Sequence, residues 1–287
     1  MFVYRHRYEY PVRLCCRVLG VSHSGYYAYL GRRGSSIRQA DLIALIREVH
    51  RQSRFTYGSR RIMHQLRHNG LAIGRYRVRR LMRLGGVSVI KRRRYKVTTR
   101  SDHRYPASPN LIQRCFQTAR PDMVWVSDIT YIKTLEGWLY LAIVLDLYSR
   151  KIVGWSLARN MAVEMVKQAL IMAIGRRQPG PGLIHHSDRG IQYACPQYRR
   201  LLERHGITSS MSASGSCLDN AVAERFFRTL KGECLTNWQD MTAEEAKHDI
   251  VDYIEMFYNS TRLHSYPGYM SPNDYEKLTL YPVSVFT

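Results

Sequence analysis

An apolar run with one carboxylate at its centre occupies residues 124–132, Val124-Trp125-Val126-Ser127-Asp128-Ile129-Thr130-Tyr131-Ile132. Its β-branched and aromatic residues predict a strand in a hydrophobic core. A lone buried carboxylate costs several kcal/mol unless something compensates its charge. The run therefore predicts a strand of a packed sheet and makes Asp128 a candidate cation ligand.

Two further acids follow in positions that suit the same cation. Asp188 comes just after a short apolar run that Ile184 closes, at a strand end, where α/β sheets place their working groups. Glu224 follows after thirty-five intervening residues and has helical surroundings. Hard divalent cations prefer oxygen ligands, so these three acids predict a site for Mg²⁺ or Mn²⁺.

Length and composition bound the class of protein. The chain has 287 residues, of which 45% are hydrophobic, enough for one large domain or two to three smaller ones. No apolar run approaches the roughly twenty residues that span a bilayer, and the N-terminus has no signal-peptide segment. We therefore expect a cytoplasmic protein without a membrane partner. The six cysteines have no zinc-finger or Cys-x-x-Cys spacing, which favours reduced thiols.

The positive charge is concentrated in one half of the chain. Residues 1–100 carry 24 Lys and Arg against three acids, whereas residues 101–287 carry 20 against 19. Residues 52–100 contain no acid. Such a field condenses onto polyanions, so nucleic acid is the predicted partner rather than a membrane surface.

Two helix-turn-helix outlines lie in the basic half. In the first, residues 1–35, a helix over Val12–Leu19 stops at Gly20. The stretch Val21-Ser22-His23-Ser24 then offers a hydroxyl cap for a short helix over Gly25–Leu30, which the following glycines end. In the second, residues 36–90, an amphipathic helix precedes two helices that begin near Ser59 and Arg75. The residues expected to face inward there are Ile37, Leu42, Leu45, Ile46, Val49, Ile62, Met63, Leu66, Val78, Leu81, Met82 and Leu84.

Arginines on the last of these helices make it the candidate recognition helix, because they would repel one another without a polyanion. The alternative is that DNA phosphates are contacted elsewhere in the basic half. The predicted DNA-binding residues on this helix are Arg75, Arg77, Arg79, Arg80 and Arg83. The remaining ones are Arg60 and Arg61 before it, Arg92, Arg93 and Arg94 after it, and Arg228 and Lys231, which share a helix face with Glu224.

Residues 91–118 are basic and proline-containing, which predicts a linker. Residues 119–287 then predict an α/β domain with a mixed sheet and C-terminal helices. Its expected elements are an antiparallel meander over 123–134, 138–146 and 151–157, a helix over 163–174, a strand over 182–185, a helix over 195–205, a strand over 208–211 and the helix that carries Glu224.

Several motifs together resemble the integrase core of bacterial insertion-sequence transposases of the OrfB type. They are VWVSDITYI at 124–132, HSDRGIQY at 186–193 and DNAVAERFF at 219–227. YNSTRLH at 258–264 and GYMSP at 268–272 resemble the C-terminal signature of that family, and YGSRRI at 57–62 resembles its helix-turn-helix segment. The resemblance covers nearly the whole chain.

The resemblance implies an RNase H-like fold of the retroviral-integrase superfamily, with Asp128, Asp188 and Glu224 as its catalytic acidic triad. It implies a DDE transposase, a polynucleotidyl transferase that uses two Mg²⁺ or Mn²⁺ ions to cut and join DNA at insertion-sequence ends. Expected partners are double-stranded DNA (terminal inverted repeats and target), further copies of the chain on DNA, and an OrfA protein, free or fused. The cellular place implied is the bacterial nucleoid. The alternatives are an inactive DNA-binding repressor and a nuclease that only hydrolyses.

Four other polar residues invite weaker interpretations. His185 and His186 lie beside Asp188, but no third clustered ligand is visible, so we expect them to support the metal site or contact DNA rather than bind zinc. Asp146 closes the second predicted strand, where we expect it to cap the Ser149-Arg150 turn rather than act as a fourth acid. Asp122 stands before the first strand, where we expect it to solvate the end of the linker.

Overall fold

The computed structural model describes residues 2–35, 39–89, 105–213, 217–234, 240–266 and 268–280. The first six helices are α1 Phe2–Arg5, α2 Val12–Val18, α3 His23–Ser35, α4 Gln39–Gln52, α5 Ser59–His68 and α6 Arg75–Leu84. Within the described ranges no helix is long and apolar enough to cross a membrane.

The first three helices match the first predicted outline except at its end. The predicted hydroxyl cap is present and comes from Ser22, whose Oγ accepts a hydrogen bond from the Gly25 amide at 3.2 Å. The predicted end of α3 near Leu30 is wrong, because the helix runs on to Ser35. A glycine inside a helix costs only about 1 kcal/mol relative to alanine, which is too little to end it.

Helices α4, α5 and α6 pack together around the predicted apolar stripes. Most residues expected to face inward are buried, namely Leu42, Ile46, Val49, Ile62, Met63, Leu66, Val78, Leu81 and Met82. Leu45 and Leu84 are exposed, which corrects their predicted placement. Ile37 lies outside the described residues. The stripe is therefore narrower than the helical period alone suggested.

A five-stranded mixed sheet forms the centre of the second half. Its strands are β1 Val124–Thr134, β2 Gly137–Asp146, β3 Ile152–Ala158, β4 Ile184–Ser187 and β5 Thr208–Met211. Their order in the sheet is β3-β2-β1-β4-β5. The first three strands pair antiparallel, while β4 runs parallel to both β1 and β5. This confirms the predicted meander and the mixed sheet.

Helices cover both faces of the sheet. They are α7 Val163–Arg177, α8 Ile191–Ala194, α9 Pro196–Arg204, α10 Ala221–Glu233 and α11 Ala243–Asp252, a π-helix over Tyr253–Tyr258, and α12 Pro272–Leu280. One face, with Trp125 and Val153, packs on α7 and α9. The other, with Val126 and Ile143, packs on α10 and the C-terminal helices.

The contact between β3 and α7 depends on Gly154. A Cβ at this position would lie 2.1 Å from the backbone oxygen of Ala169 and 2.8 Å from the Cβ of Ala173. Any side chain would force the helix off the sheet, so these small residues set the spacing of the two layers.

The described part of the predicted linker, from Tyr105 onward, packs against the sheet domain. Ser108 Oγ donates to Ser209 Oγ at 3.0 Å, and the Leu111 amide donates to Ser210 Oγ at 2.9 Å. Ile112 is buried in the main hydrophobic cluster. These contacts fasten the residues before β1 to the edge strand β5.

Candidate active site

Parallel pairing of β1 with β4 brings the first two acids together. Ser127 lies opposite Ser187 in the register, so Asp128 and Asp188 follow at the same level. Strand alternation places Asp128 on the same face as Val126, the face that packs on α10.

Backbone amides orient both aspartates. Asp128 Oδ1 accepts a hydrogen bond from the Ile129 amide at 2.8 Å, and Asp188 Oδ1 accepts one from the Gly190 amide at 2.9 Å. A Cβ at Gly190 would lie 2.9 Å from Asp188 Oδ1, so a larger residue there would displace the carboxylate. The turn after β4 is thus built around the Asp188 side chain.

Glu224 enters the site from α10, in the first turn of that helix. Burial and then the charge of Asp188 raise the pKa of Glu224, against the opposing charge of Arg228. Burial, followed by the charges of Asp188 and Glu224, raises the pKa of Asp128 well above its ordinary value. The three carboxylates therefore lie close enough to repel one another.

Two cations on α10 accompany the acids. Lys231 is half-buried beside Asp128, and its Nζ lies 5.0 Å from the centroid of the Tyr131 ring. Burial lowers the pKa of Lys231 to about 8, although the charge of Asp128 opposes this shift. Arg228 is exposed on the surface of the same helix. Both side chains are positioned to form ion pairs with a phosphate that approaches the three acids.

Sequence reasoning missed the residue that anchors the start of α10. Asn220 is buried, and its Nδ2 donates to the backbone oxygen of Ser127 at 3.1 Å, one residue before Asp128. The neighbouring Asp219 accepts hydrogen bonds from Asn110 and Arg114, at 2.9 and 2.8 Å. The signal was the pair of polar residues just before an amphipathic helix.

The three carboxylates have the oxygen ligands that Mg²⁺ prefers, but their side chains do not surround a single metal position. In the part of the chain that the structure describes, no three His, Cys, Asp or Glu side chains are grouped tightly enough to hold an ion. Mg²⁺ keeps several waters and typically takes only one or two carboxylates. The adjacent Asp128 and Asp188, with Glu224 facing them, meet that requirement.

The two histidines beside Asp188 are structural. His185 Nε2 is hydrogen-bonded to Ser127 Oγ at 2.7 Å and Tyr198 Oη at 3.0 Å, and His186 Nδ1 to Ser210 Oγ at 2.9 Å. Burial lowers the pKa of His185 to about 3 and that of His186 to about 4, so both are neutral. The expected DNA contact is wrong, because neither ring reaches the surface.

Asp146 has the predicted capping role, whereas the prediction that Asp122 only solvates the linker end is wrong. Asp146 Oδ1 accepts from the Tyr148 amide at 2.6 Å, capping the turn after β2. Asp122 pairs with Arg177 at 2.8 Å and accepts from the Trp125 indole at 3.0 Å. Both acids fasten the sheet away from the triad.

Apart from Arg228 and Lys231 on α10, the predicted DNA-binding residues divide into three groups. Arg60 and the five arginines of α6 are exposed on the helix-turn-helix surface. Arg61 is turned inward, because its Nε donates to the backbone oxygen of Leu263 at 2.9 Å and its Nη1 lies 3.7 Å from Glu233. We therefore remove Arg61 from the DNA-contacting set. Arg92, Arg93 and Arg94 lie outside the described residues.

Comparison with known proteins identifies the family. A model described as an HTH-like domain matches residues 36–95, and two models described as integrase core domains match residues 118–217 and 224–280. The transposase InsF for insertion sequence IS3A of Escherichia coli (strain K12) is 37% identical over 286 residues, which cover 98% of this chain and 99% of that protein. The chain belongs to the IS3 family of insertion-sequence transposases. This confirms the predicted family and its two kinds of domain.

Further likenesses of the transposase are more varied. The insertion element IS600 uncharacterized 31 kDa protein of Shigella sonnei is 42% identical over 90% of this chain and 95% of that protein. A chain of the simian T-cell lymphotropic virus intasome has a TM-score of 0.48 at 12% identity, and the match covers 80% of this chain and 73% of the intasome chain. The HTLV-2 integrase catalytic core domain in complex with magnesium has a TM-score of 0.43 at 15% identity, and the match covers 55% of this chain and 98% of the HTLV-2 domain. The integrase core of the transposase, with its five-stranded mixed sheet, has the predicted RNase H-like fold.

Proposed function

We propose that this transposase cuts and joins DNA at the ends of its insertion sequence with a metal-dependent site formed by Asp128, Asp188 and Glu224. The observation that carries the proposal is the convergence of the three carboxylates from β1, the turn after β4 and the start of α10. Burial first, and then the charges of neighbouring carboxylates, raise the pKa of Asp128 and Glu224, and a divalent cation would stabilise their ionised forms.

The residues would divide the work as follows. Two Mg²⁺ or Mn²⁺ ions, when bound, supply stabilisation of the attacking and leaving oxygens of the phosphodiester. Asp128, Asp188 and Glu224 would hold the ions through their carboxylate oxygens. Lys231 and Arg228 would orient the DNA phosphate above the acids. Water attacks in cleavage and a DNA 3′-hydroxyl attacks in joining, so no Ser, Tyr or Cys nucleophile is needed.

The basic half would provide the grip on DNA. We infer a division into residues 1–35, a DNA-binding domain over 36–90, a linker over 91–118 and a catalytic part over 119–287. The exposed arginines of α6, with Arg60, would contact the terminal inverted repeats. Several copies would assemble on DNA, with or without an OrfA partner, at the nucleoid.

A cleavage assay tests the proposal. The full chain is incubated with labelled terminal inverted-repeat DNA and Mg²⁺, and nicked, circular and joined products are resolved on a denaturing gel. We expect cut and joined products that EDTA abolishes. Cutting without joining would indicate a nuclease, binding without cutting would indicate a repressor, and activity that survives EDTA would refute the metal mechanism.

A further inference from the structure

A polar joint connects the helix-turn-helix domain to the catalytic part, and the chemistry proposed above does not use it. We define the joint as Tyr57 and Arg61 on the DNA-binding side, with Glu233, Arg262 and Leu263 on the catalytic side. Glu233 is the last residue of α10, the helix whose first turn carries Glu224.

The catalytic side of the joint is a buried ion pair. Glu233 accepts hydrogen bonds from Arg262 Nε at 2.6 Å, Arg262 Nη2 at 2.7 Å and Tyr253 Oη at 2.9 Å. Burial raises the pKa of Glu233, but the hydrogen bonds and charge of Arg262 outweigh burial and lower it below its ordinary value. An ionised carboxylate with this many donors has one strongly preferred position.

The DNA-binding side reaches the same ion pair from α5. Arg61 approaches Glu233 to 3.7 Å and also donates to the Leu263 oxygen at 2.9 Å. The Leu263 amide donates to Tyr57 Oη at 2.6 Å. The backbone of residue 263 is thus held at both its amide and its carbonyl by side chains of the helix-turn-helix domain.

Two outer contacts limit rotation about the joint. Arg54 pairs with Asp252 at 2.6 Å, and the rings of His64 and Tyr269 stack with centroids 3.6 Å apart. Buried residues of α4–α6 and of the α10 face of the sheet also belong to one continuous hydrophobic cluster. The two domains therefore meet through several independent contacts rather than a single pivot.

Helix geometry links the joint to the proposed site. Glu233 lies nine positions after Glu224, a rise of about 13.5 Å along one helix. On the other side, α5 packs against α6, which carries the exposed arginines. A continuous path of packed elements thus runs from the candidate recognition helix to Glu224.

We propose that this joint determines where the DNA is cut relative to the sequence that is recognised. By fixing the orientation of α6 relative to α10, it places one phosphodiester at the active site. Successive base pairs lie about 3.4 Å apart, so a shift of that size between the domains would move the cut by one position. Arg61 and Glu233 are positioning residues in this scheme, which rests on the proposed cleavage function.

Two neighbouring arginines provide a matched test in the full chain. Arg61→Gln removes the contact across the joint, whereas Arg60→Gln removes the same charge from the exposed surface. For Arg61→Gln we expect inverted-repeat affinity within about twofold of the unmodified protein, and a several-fold rise in cuts at neighbouring phosphodiesters. For Arg60→Gln we expect one cut position and a salt dependence of log K weaker by about 0.9.

The readouts are cut position, from end-labelled DNA on a sequencing gel, and affinity, from fluorescence anisotropy at several salt concentrations. Glu233→Gln approaches the joint from the catalytic side and should scatter the cuts in the same way. Slower cutting at the original single position in both joint variants would overturn the proposal, since the joint would then only stabilise the fold. Lost affinity with an unchanged cut position in Arg61→Gln would also overturn it and make Arg61 a DNA contact.

A distance measurement tests the joint without any DNA chemistry. Spin labels at Tyr76→Cys on α6 and Leu135→Cys after β1, both exposed sites, report the separation of the domains, with the exposed Cys115 replaced by Ser. We expect a narrow distance distribution that broadens in Arg61→Gln. An equally narrow distribution in that variant would refute the joint even in an active enzyme. Broadening in a protein that fails to cut DNA would support the joint while the cleavage function fails.

Discussion

The two ends of α10 carry glutamates in opposite surroundings. Glu224, in the first turn, is half-buried near Asp188 and Asp128, and burial with the charge of Asp188 raises its pKa. Glu233, the last residue, is buried against Arg262 and Arg61, and its pKa is lowered because Arg262 outweighs burial.

The difference shows how one residue type serves two purposes on one helix. At Glu233 the chain supplies its own countercharge, so the ionised carboxylate is stable without any ligand. At Glu224 burial and the charge of Asp188 raise the pKa although Arg228 opposes the shift, and in the proposed mechanism a cation would supply the missing countercharge. The first arrangement is complete within the chain, and the second would be completed by a bound cation.

The largest expected effect is the loss of chemistry when the Glu224 end is neutralised. Glu224→Gln keeps the volume and helix propensity but removes the charge, so fold and DNA affinity should persist. Cleavage and joining should fall by at least about 10²–10³-fold, the usual cost of removing one charge-stabilising group. Rates are measured on labelled inverted-repeat DNA with Mg²⁺.

Asp128→Asn and Asp188→Asn should behave like Glu224→Gln, and combining them should cost little more, because the three acids act as one device. Glu203→Gln, on the exposed surface of α9, is the control and should remain active. If Glu224→Gln remained active, Glu224 would be an ordinary surface acid. The functional contrast between Glu224 and Glu233 at the two ends of α10 would then be wrong.

Breaking the other end should cost stability instead. Glu233→Ala leaves the buried Arg262 without its partner, a change that typically destabilises by about 3–5 kcal/mol. Urea unfolding followed by circular dichroism measures the difference. Replacing both Glu233 and Arg262 by leucine should recover most of the loss. A cost of Glu233→Ala below about 1 kcal/mol, the range of an exposed pair, would show that the ion pair is not buried in solution.

The metal requirement should depend on pH, because protons and cations compete for the acids. The pKa of Asp128 and of Glu224 is raised, so each holds its proton to higher pH than an ordinary carboxyl. The Mg²⁺ concentration for half-maximal cleavage should therefore fall as pH rises, by up to about tenfold per pH unit for each proton displaced. Titrations at several pH values measure it, and a flat profile would contradict the proposed ligands.

Identity of the metal offers a further comparison. Mn²⁺ should replace Mg²⁺ in cleavage, whereas Ca²⁺ should support DNA binding with little chemistry, because its coordination is looser and higher. Parallel gel-shift and cleavage assays separate the two outcomes. A single tightly bound zinc ion found by elemental analysis would contradict the oxygen-ligand site.

The smallest expected effect is a gain of stability without metal. A carboxyl whose pKa is raised by folding lowers stability once the pH exceeds its unfolded value, so neutral Asn should remove that loss at Asp128. Each kcal/mol regained raises Tm by about 2–4 °C in a chain of this size. In EDTA at neutral pH, Asp128→Asn should have a higher Tm than the unmodified protein. With added Mg²⁺, the unmodified protein should have the higher Tm.

Much of the fold followed from local patterns. The apolar run at 124–132 gave β1, and the helical period gave α5, α6 and the buried face of α10. The triad depended on motifs as well, since Asp128 and Asp188 meet only through the parallel pairing of β1 and β4. Errors arose where local pattern did not determine the outcome, as at Leu84, which is apolar and at helical spacing yet 57% exposed.

The joint shows what a single sequence could and could not indicate. Glu233 follows Phe226 and Leu230 at spacings of seven and three, and helical spacing of this kind is consistent with its place on the buried face. Its partner Arg262 lies 29 residues further on, and Arg61 reaches Leu263 across 202 residues. Arg60 and Arg61 are identical in local sequence terms, and only the folded chain turns one outward and the other inward.

The long sequence separation of the contacts at the joint also determines the order in which the partners are synthesised. Contacts such as Arg54 to Asp252 and Tyr57 to Leu263 span 198 and 206 residues. At synthesis rates of about 5–20 residues per second, α5 emerges roughly 10–40 s before the residues that will hold it. Ribosome-bound chains halted before residue 252 should therefore already bind DNA. During this interval each new molecule would bind DNA, but the joint that positions the cut would not yet have formed.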